Sequence, residues 1–208
     1  MKAGACIVFA LCVSAAFAVK GVDVSQYTDV FSCIHGKGYE FAIIRGYQSG
    51  GRVDPNVVSN IRNARSAGFK YVDVYLFPCV PCNNPSTQAQ DLVNAIRGHN
   101  YGTVWVDIEN YRWSSNKDSN QRFITEMVNE LKRLGQTVGI YSSYYNWEEI
   151  TGISWTGVSD LPLWYAHYDY SPSFSDFRSF GGWSKPAIKQ YEGNQRVCGA
   201  GVDLNYYP

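Results

Sequence analysis

Thr103-Val-Trp-Val-Asp-Ile-Glu109 runs from a short apolar stretch into two carboxylic acids. Val104, Trp105, Val106 and Ile108 read as a buried β-strand, because β-branched and aromatic residues suit a pleated, half-covered surface. Side chains alternate along a strand, so Asp107 and Glu109, two positions apart, point the same way, about 6.6 Å apart along the chain. Carboxylates rarely end a buried strand unless they are paired or at work. On this stretch alone the pair could equally be structural, one acid holding an arginine and the other capping a helix.

Outward from this strand the chain alternates between two periods. Upstream, 20–25, 41–46 and 70–77 read as strands, separated by helical stretches over 28–34, from Asp54-Pro55 to Gly68, and from a capping box at Thr87 and Gln90 to Gly98. Downstream come a strong helix after Asp118 or Ser119, a strand over 137–142 and a short helix over 144–150. Then the rhythm changes. Strands over 161–167, 187–191 and 201–205 follow with an aromatic loop at 168–185 but no long amphipathic helix. Five β–α units and three further strands imply a parallel sheet with helices outside. Eight strands fit an α/β fold of the small, modified TIM-like (β/α)5β3 barrel type. An open doubly wound sheet competes, but no Gly-x-Gly-x-x-Gly or phosphate loop supports it.

The first 18 residues, apolar after Lys2 and ending Ala16-Phe17-Ala18, read as a secretory signal peptide, leaving Val19 to Pro208 as one domain. A secreted or lumenal protein is expected. Cys33, Cys79, Cys82 and Cys198 then remain, an even number suited to two disulfides, with all three pairings open. The Cys79-x-x-Cys82 spacing has no second pair beside it for a zinc site. Acidic and basic residues balance at 18 each over the whole chain, which gives no argument for nucleic acid or an anionic membrane as partner. Tyrosine, at 16 residues, offers flat faces suited to sugar rings or simply to a core.

In a β/α barrel the active site gathers at the C-terminal strand ends. Those ends carry Asp23, Arg45, Tyr75, Asp107, Glu109, Tyr141, Trp164 or Tyr165, Gln190 and Asp203. The first and last strands of a closed barrel adjoin, so Asp23 and Asp203 should meet. Four acids around one mouth favour a catalytic cluster over a structural accident. Glycosidic cleavage needs such a set: one acid to protonate the leaving oxygen, another to manage the developing positive charge. No nucleophile elbow is present. His35, His99 and His167 share no metal-ligand spacing, though His167 could line the pocket. No metal or cofactor is expected.

These residues carry a resemblance. Gly21-Val-Asp23-x-Ser25, Asp107-Ile-Glu109, Gly139-Ile-Tyr141-Ser142, Leu163-Trp164-x-Ala166-x-Tyr168, Gln190-Tyr191 and Val202-Asp203-x-Asn205 resemble, in order, the motifs of glycoside hydrolase family 25 lysozymes, especially the nematode and protist branch. The resemblance implies a (β/α)5β3 barrel that hydrolyses the β-1,4 bond between N-acetylmuramic acid and N-acetylglucosamine in bacterial peptidoglycan, in defence or digestion. It implies Glu109 as general acid, Asp107 as its companion and Asp23 and Asp203 as supporting acids. Tyr141, Tyr75 and Trp164 become sugar-contact positions, with Arg45 as a further contact candidate. The chain departs from the family at loops 78–85 and 168–185, which border the cleft. A monomer acting on glycan strands is expected. Both inversion through a water and assistance by the substrate's N-acetyl group are compatible with the acid spacing; the Asp-x-Glu pair favours assistance. A chitin-type hydrolase and a catalytically inactive glycan-binding barrel are the alternatives.

Overall fold

The computed structural model describes residues 18–208. Except for Ala18, the expected signal peptide lies outside the described residues. Five β–α units come first: β1 (Val19–Val24) with α1 (Phe31–Gly36), β2 (Tyr39–Gln48) and the two-residue β3 (Arg52–Val53) with α2 (Val57–Ser66), β4 (Tyr71–Leu76) with α3 (Pro85–Ile96), β5 (Val104–Asp107) with α4 (Lys117–Arg133), and β6 (Val138–Ser142) with α5 (Tyr144–Ile150). Three strands complete the fold: β7 (Leu163–Ala166), β8 (Ile188–Val197) and β9 (Ala200–Tyr207).

Hydrogen bonding runs β1-β9-β8-β7-β6-β5-β4-β2, and β1 also pairs with β2, so eight strands close into a barrel with β3 hanging from β2. The (β/α)5β3 expectation holds. Apart from the two-residue β3, which runs antiparallel to β2, neighbours from β1 through β8 are parallel, whereas β9 is antiparallel to both β8 and β1. The parallel pairing expected from the repeated β–α units therefore fails at β9, because the expected strands 187–191 and 201–205 are joined directly with no helix between them. They belong to the two arms of one long hairpin, turned at Cys198 and Gly199, both at positive φ (55° and 86°). Two such residues make the tight turn whose twist suits a hairpin, and a hairpin forces antiparallel pairing.

The two-residue period sorts side chains between two cores. Val104, Val106 and Ile108 face outward with Val22, Val74 and Ile140 against the helices. Trp105 faces inward with Phe41, Ile43, Tyr75, Tyr141, Trp164 and Ile188, filling the barrel. Large residues are matched by absent ones: a Cβ on Gly139 would collide with the Trp105 ring, and one on Gly21 with that of Phe41. Outside, α4 buries Phe123, Ile124, Met127, Val128 and Leu131, the stripe its periodicity predicts. Each such side chain stabilises the fold by about 1.5–3 kcal/mol.

Helix starts differ in detail from the sequence reading. The first begins at Phe31, three residues later than expected. Asp54 caps no helix directly; its carboxylate accepts the Asn56 N–H and binds Arg45, and α2 starts at Val57. The third helix starts at Pro85, before the Thr87 capping box, because proline is tolerated in a first turn. The disulfides are Cys33–Cys198 and Cys79–Cys82. Among the described residues no helix is long and apolar enough to cross a membrane.

Candidate active site

Seven strands point their C-terminal ends at one mouth, and antiparallel β9 brings the first half of its length there. Asp23 of β1 pairs in register with Asp203 of β9. Asp107 ends β5 opposite Tyr141 of β6. Glu109 follows after one outward residue, Ile108, whose N–H still bonds to the Tyr141 carbonyl at 2.8 Å. The strand period therefore persists to Glu109, beyond the last regular strand residue. Two further donors clamp this backbone: Ser142 Oγ to the Ile108 carbonyl (2.7 Å) and Trp113 Nε1 to the Glu109 carbonyl (2.7 Å). Beside Asp23, Asp203 and Tyr75 lies a cavity of about 260 Å³ whose outer wall is the β8–β9 hairpin.

A buried amide network holds Asp23. Its Oδ2 accepts from Gln190 Nε2 at 2.8 Å and Asn205 Nδ2 at 2.7 Å. The orientation of Asn205 is forced, because Trp164 Nε1, a pure donor, bonds to Asn205 Oδ1 at 2.8 Å. Tyr141 and Tyr168 both donate to Gln190 Oε1 (2.6 and 2.9 Å), so the Gln190 amine also faces the acids. With Oδ2 occupied by two donors, a proton on Asp23 sits on Oδ1. Asp203 accepts the Asn194 backbone N–H at 2.6 Å. Asp107 differs: its Oδ1 is buried and has no hydrogen-bond partner among the described residues.

The four acids cannot all be charged together. Burial, then the Asp203 charge, pushes Asp23 up to about 8 despite its two amide donors. Burial first, then Glu109 and Asp23, raises Asp107 well above the carboxylate range. Burial and then Asp203 raise Glu109, and burial raises Asp203. All four carboxyls lose water, and Asp23, Asp107 and Glu109 also face the charge of another acid, the two causes that favour the protonated form. The cluster therefore shares protons as a unit.

Of the residues singled out by sequence, the mouth brings together Asp23, Asp107, Glu109, Asp203, Tyr75 and Tyr141. Trp164 lies beneath them, 2 % exposed, with its ring centroid 4.4 Å from that of Tyr141 and 6.0 Å from that of Trp105. It reaches a sugar only through the groups above it. Arg45 is engaged by Asp54 at 2.7 Å, not by Asp23 or Asp203. Sequence reasoning did not assign roles to Asn205, Tyr168, Ser142 or Trp113. Asn205 had a readable signal, since it shares a strand face with Asp203 two positions earlier.

His167 points elsewhere. Its Nδ1 lies 2.6 Å from Asp176, and with Asp169 the three groups converge within 4.8 Å. The fully buried ammonium of Lys189 already joins the two acids at 2.8 and 2.6 Å. This cluster pins the loop after β7 to β8.

Comparison with known proteins agrees with this architecture. A family model described as "Lysozyme-like protein 1" matches residues 14–191. "Probable GH family 25 lysozyme 2" of Dictyostelium discoideum is 49% identical over 92% of each chain. "Lysozyme-like protein 5" of Caenorhabditis elegans is 43% identical over 90% of this chain and 91% of its own. Among solved structures, a muramidase from Trichobolus zukalii superposes with a TM-score of 0.76 at 26% identity, covering 91% of this chain and 93% of that one. A family GH25 lysozyme from Aspergillus fumigatus shares the fold at a TM-score of 0.78 and 22% identity, covering 92% and 94%. The barrel, the shared motifs and these relatives together place the chain in the glycoside hydrolase family 25 lysozymes.

Proposed function

We propose that this protein is a secreted muramidase, a single catalytic domain over 19–208 that hydrolyses the β-1,4 bond between N-acetylmuramic acid and N-acetylglucosamine in bacterial peptidoglycan, in defence or digestion. The observation that carries this reading is the Asp107–Glu109 pair: two adjoining acids on one face, both raised by burial, one with an orphaned oxygen. The family's solved muramidases and lysozymes support glycosidase activity of this general kind. Two disulfides suit an oxidising compartment.

Glu109 keeps its proton at working pH and delivers it to the glycosidic oxygen as the C1–O bond breaks. Asp107 Oδ1 lacks the donor that an N–H of the substrate's acetamido group would supply. That bond stabilises the Asp107 anion, and the charge in turn holds the proton on Glu109. Oriented in this way, the acetamido oxygen attacks C1 and closes an oxazolinium ring. Glu109, now a carboxylate, takes a proton from water as that water opens the ring, and the anomeric configuration is retained. Asp23, Asn205 and Gln190 fix the shape and charge of the floor. Exposed tyrosines after the ends of β1, β5, β6 and β7 (Tyr27, Tyr111, Tyr145 and Tyr168) give flat faces to the glycan.

Product analysis on purified cell wall tests this. Wild type should release muropeptides with new muramic acid reducing ends, while Glu109→Gln should bind glycan yet turn over at least about 10³-fold more slowly. NMR of the first product should show retained configuration; an inverted product excludes acetamido assistance. Release from chitin oligomers alone favours the chitin reading, and binding without release from either protein favours a glycan-binding barrel.

A further inference from the structure

A second cavity, of about 650 Å³, lies between the loop after β4 and the loop after β5. Its size falls within the usual range for a small-molecule site. It adjoins the mouth through Trp113, the wall residue whose indole holds the Glu109 carbonyl. Both walls are fixed. On one side, the Cys79–Cys82 bridge closes the loop, and buried Gln88 bonds to both the N–H and the carbonyl of Cys79. On the other, Asn120 accepts the Ser114 N–H and donates to its carbonyl. A non-glycine residue at positive φ lines each wall, Asn83 at 51° and Arg112 at 59°. Such conformations persist where the surroundings enforce them, and they gather at binding sites.

The charge is what gives this cavity a ligand. Arg112 and Arg122 both line it, and neither forms a salt bridge among the described residues. The one lining carboxylate, Glu126, already accepts from Ser86. The Arg112 guanidinium lies over the Tyr111 ring, 5.2 Å from its centroid, which sets its direction. Two arginines lining one cavity together with the aromatic Trp113 and Phe123 match a short peptide with free carboxylates. Peptidoglycan carries such a peptide on its muramic acid; chitin carries none.

We propose that this cavity binds the acidic stem peptide of the glycan strand being cleaved, so that Arg112 and Arg122 select stem-bearing peptidoglycan over bare N-acetyl glycans. The inference rests on the muramidase reading of the mouth. It is tested on soluble, teichoic-acid-free peptidoglycan fragments and on the same fragments with their stems removed by an amidase. Wild type should show kcat/KM about tenfold higher on stem-bearing fragments, equivalent to about 1.4 kcal/mol. The Arg112→Gln/Arg122→Gln double variant, changed only at exposed positions, should lose that preference and keep its rate on stripped fragments. Equal wild-type rates on both substrates, or a variant slowed equally on both, overturns the site. A second measurement separates it from the muramidase reading. Isolated stem tetrapeptide should shift the Trp113 indole N–H resonance in wild type and not in the double variant. That shift without turnover retains the site and removes the muramidase reading; turnover without the shift or the preference does the reverse.

Discussion

Asp203 acts on Glu109 through space. After burial, its charge is what lifts the Glu109 carboxyl. Asp203→Asn should therefore lower the Glu109 pKa and, with Glu109 as the proposed general acid, move the alkaline limb of the kcat/KM profile toward acid. A limb that stays in place would mean that burial alone sets the acid. Asn205 and Trp164 act one step further back, since the indole N–H decides which face of the amide meets Asp23. The acids were legible in the sequence because strand alternation and barrel topology both aim them at the mouth. The amide network was not, because hydrogen bonds between Gln190, Asn205 and Asp23 span up to 182 positions. Arg45 shows the same limit. Its partner Asp54 lies nine residues away, yet a helix-capping pattern explained that aspartate equally well.

Among elements, the loop after β7 depends most on one side chain. Lys189 emerges from β8, fully buried, and bonds to Asp169, Asp176 and the Ser173 carbonyl. The loop it secures also carries Tyr168, which reaches Gln190 beneath the acids. Lys189→Met would leave two acids facing each other without their cation. A loss on the order of 3 kcal/mol is expected, as for other broken buried pairs. Urea unfolding measures it, and a midpoint within error of wild type would contradict it. In sequence, a lysine in the middle of a strand looks like an outward residue, and nothing there shows the loop folding back over it. The β8–β9 hairpin was misread for a related reason. The part of β8 nearest the turn, residues 192–197, contains glycine, asparagine and charge, the composition of a loop, but its cross-strand partners make it strand.

At the scale of the whole molecule, the raised acids set how stability varies with pH. Asp23, with a folded value of about 8 against an ordinary 3.8, keeps its proton in the native state after the unfolded chain has lost it. Asp107, Glu109 and Asp203 shift in the same direction. The native state then binds more protons, so stability is full below the ordinary carboxylate range and falls as pH rises toward about 8. Glu130, held down at about 2 by bonds from Arg133 and Gln90, works in the opposite sense, but only below about pH 4. Thermal unfolding should show a higher Tm at pH 5 than at pH 8, and Asp23→Asn should flatten the difference. A Tm that rises across that interval would contradict the shared-proton cluster.

The Cys33–Cys198 bridge spans 165 positions. Closing so long a loop stabilises the fold by about 5 kcal/mol through the unfolded chain, but it also changes what cutting the chain can do. Every strand from β2 through β8 lies inside that covalent ring. A protease that severs one peptide bond between Cys33 and Cys198 opens the ring without releasing a fragment. The cut ends stay tethered through the sulfur bridge, and the barrel can hold its pieces in register. Two cuts, or one cut and a reductant, are needed before anything leaves. The protein thereby tolerates a first nick within the ring while remaining one molecule.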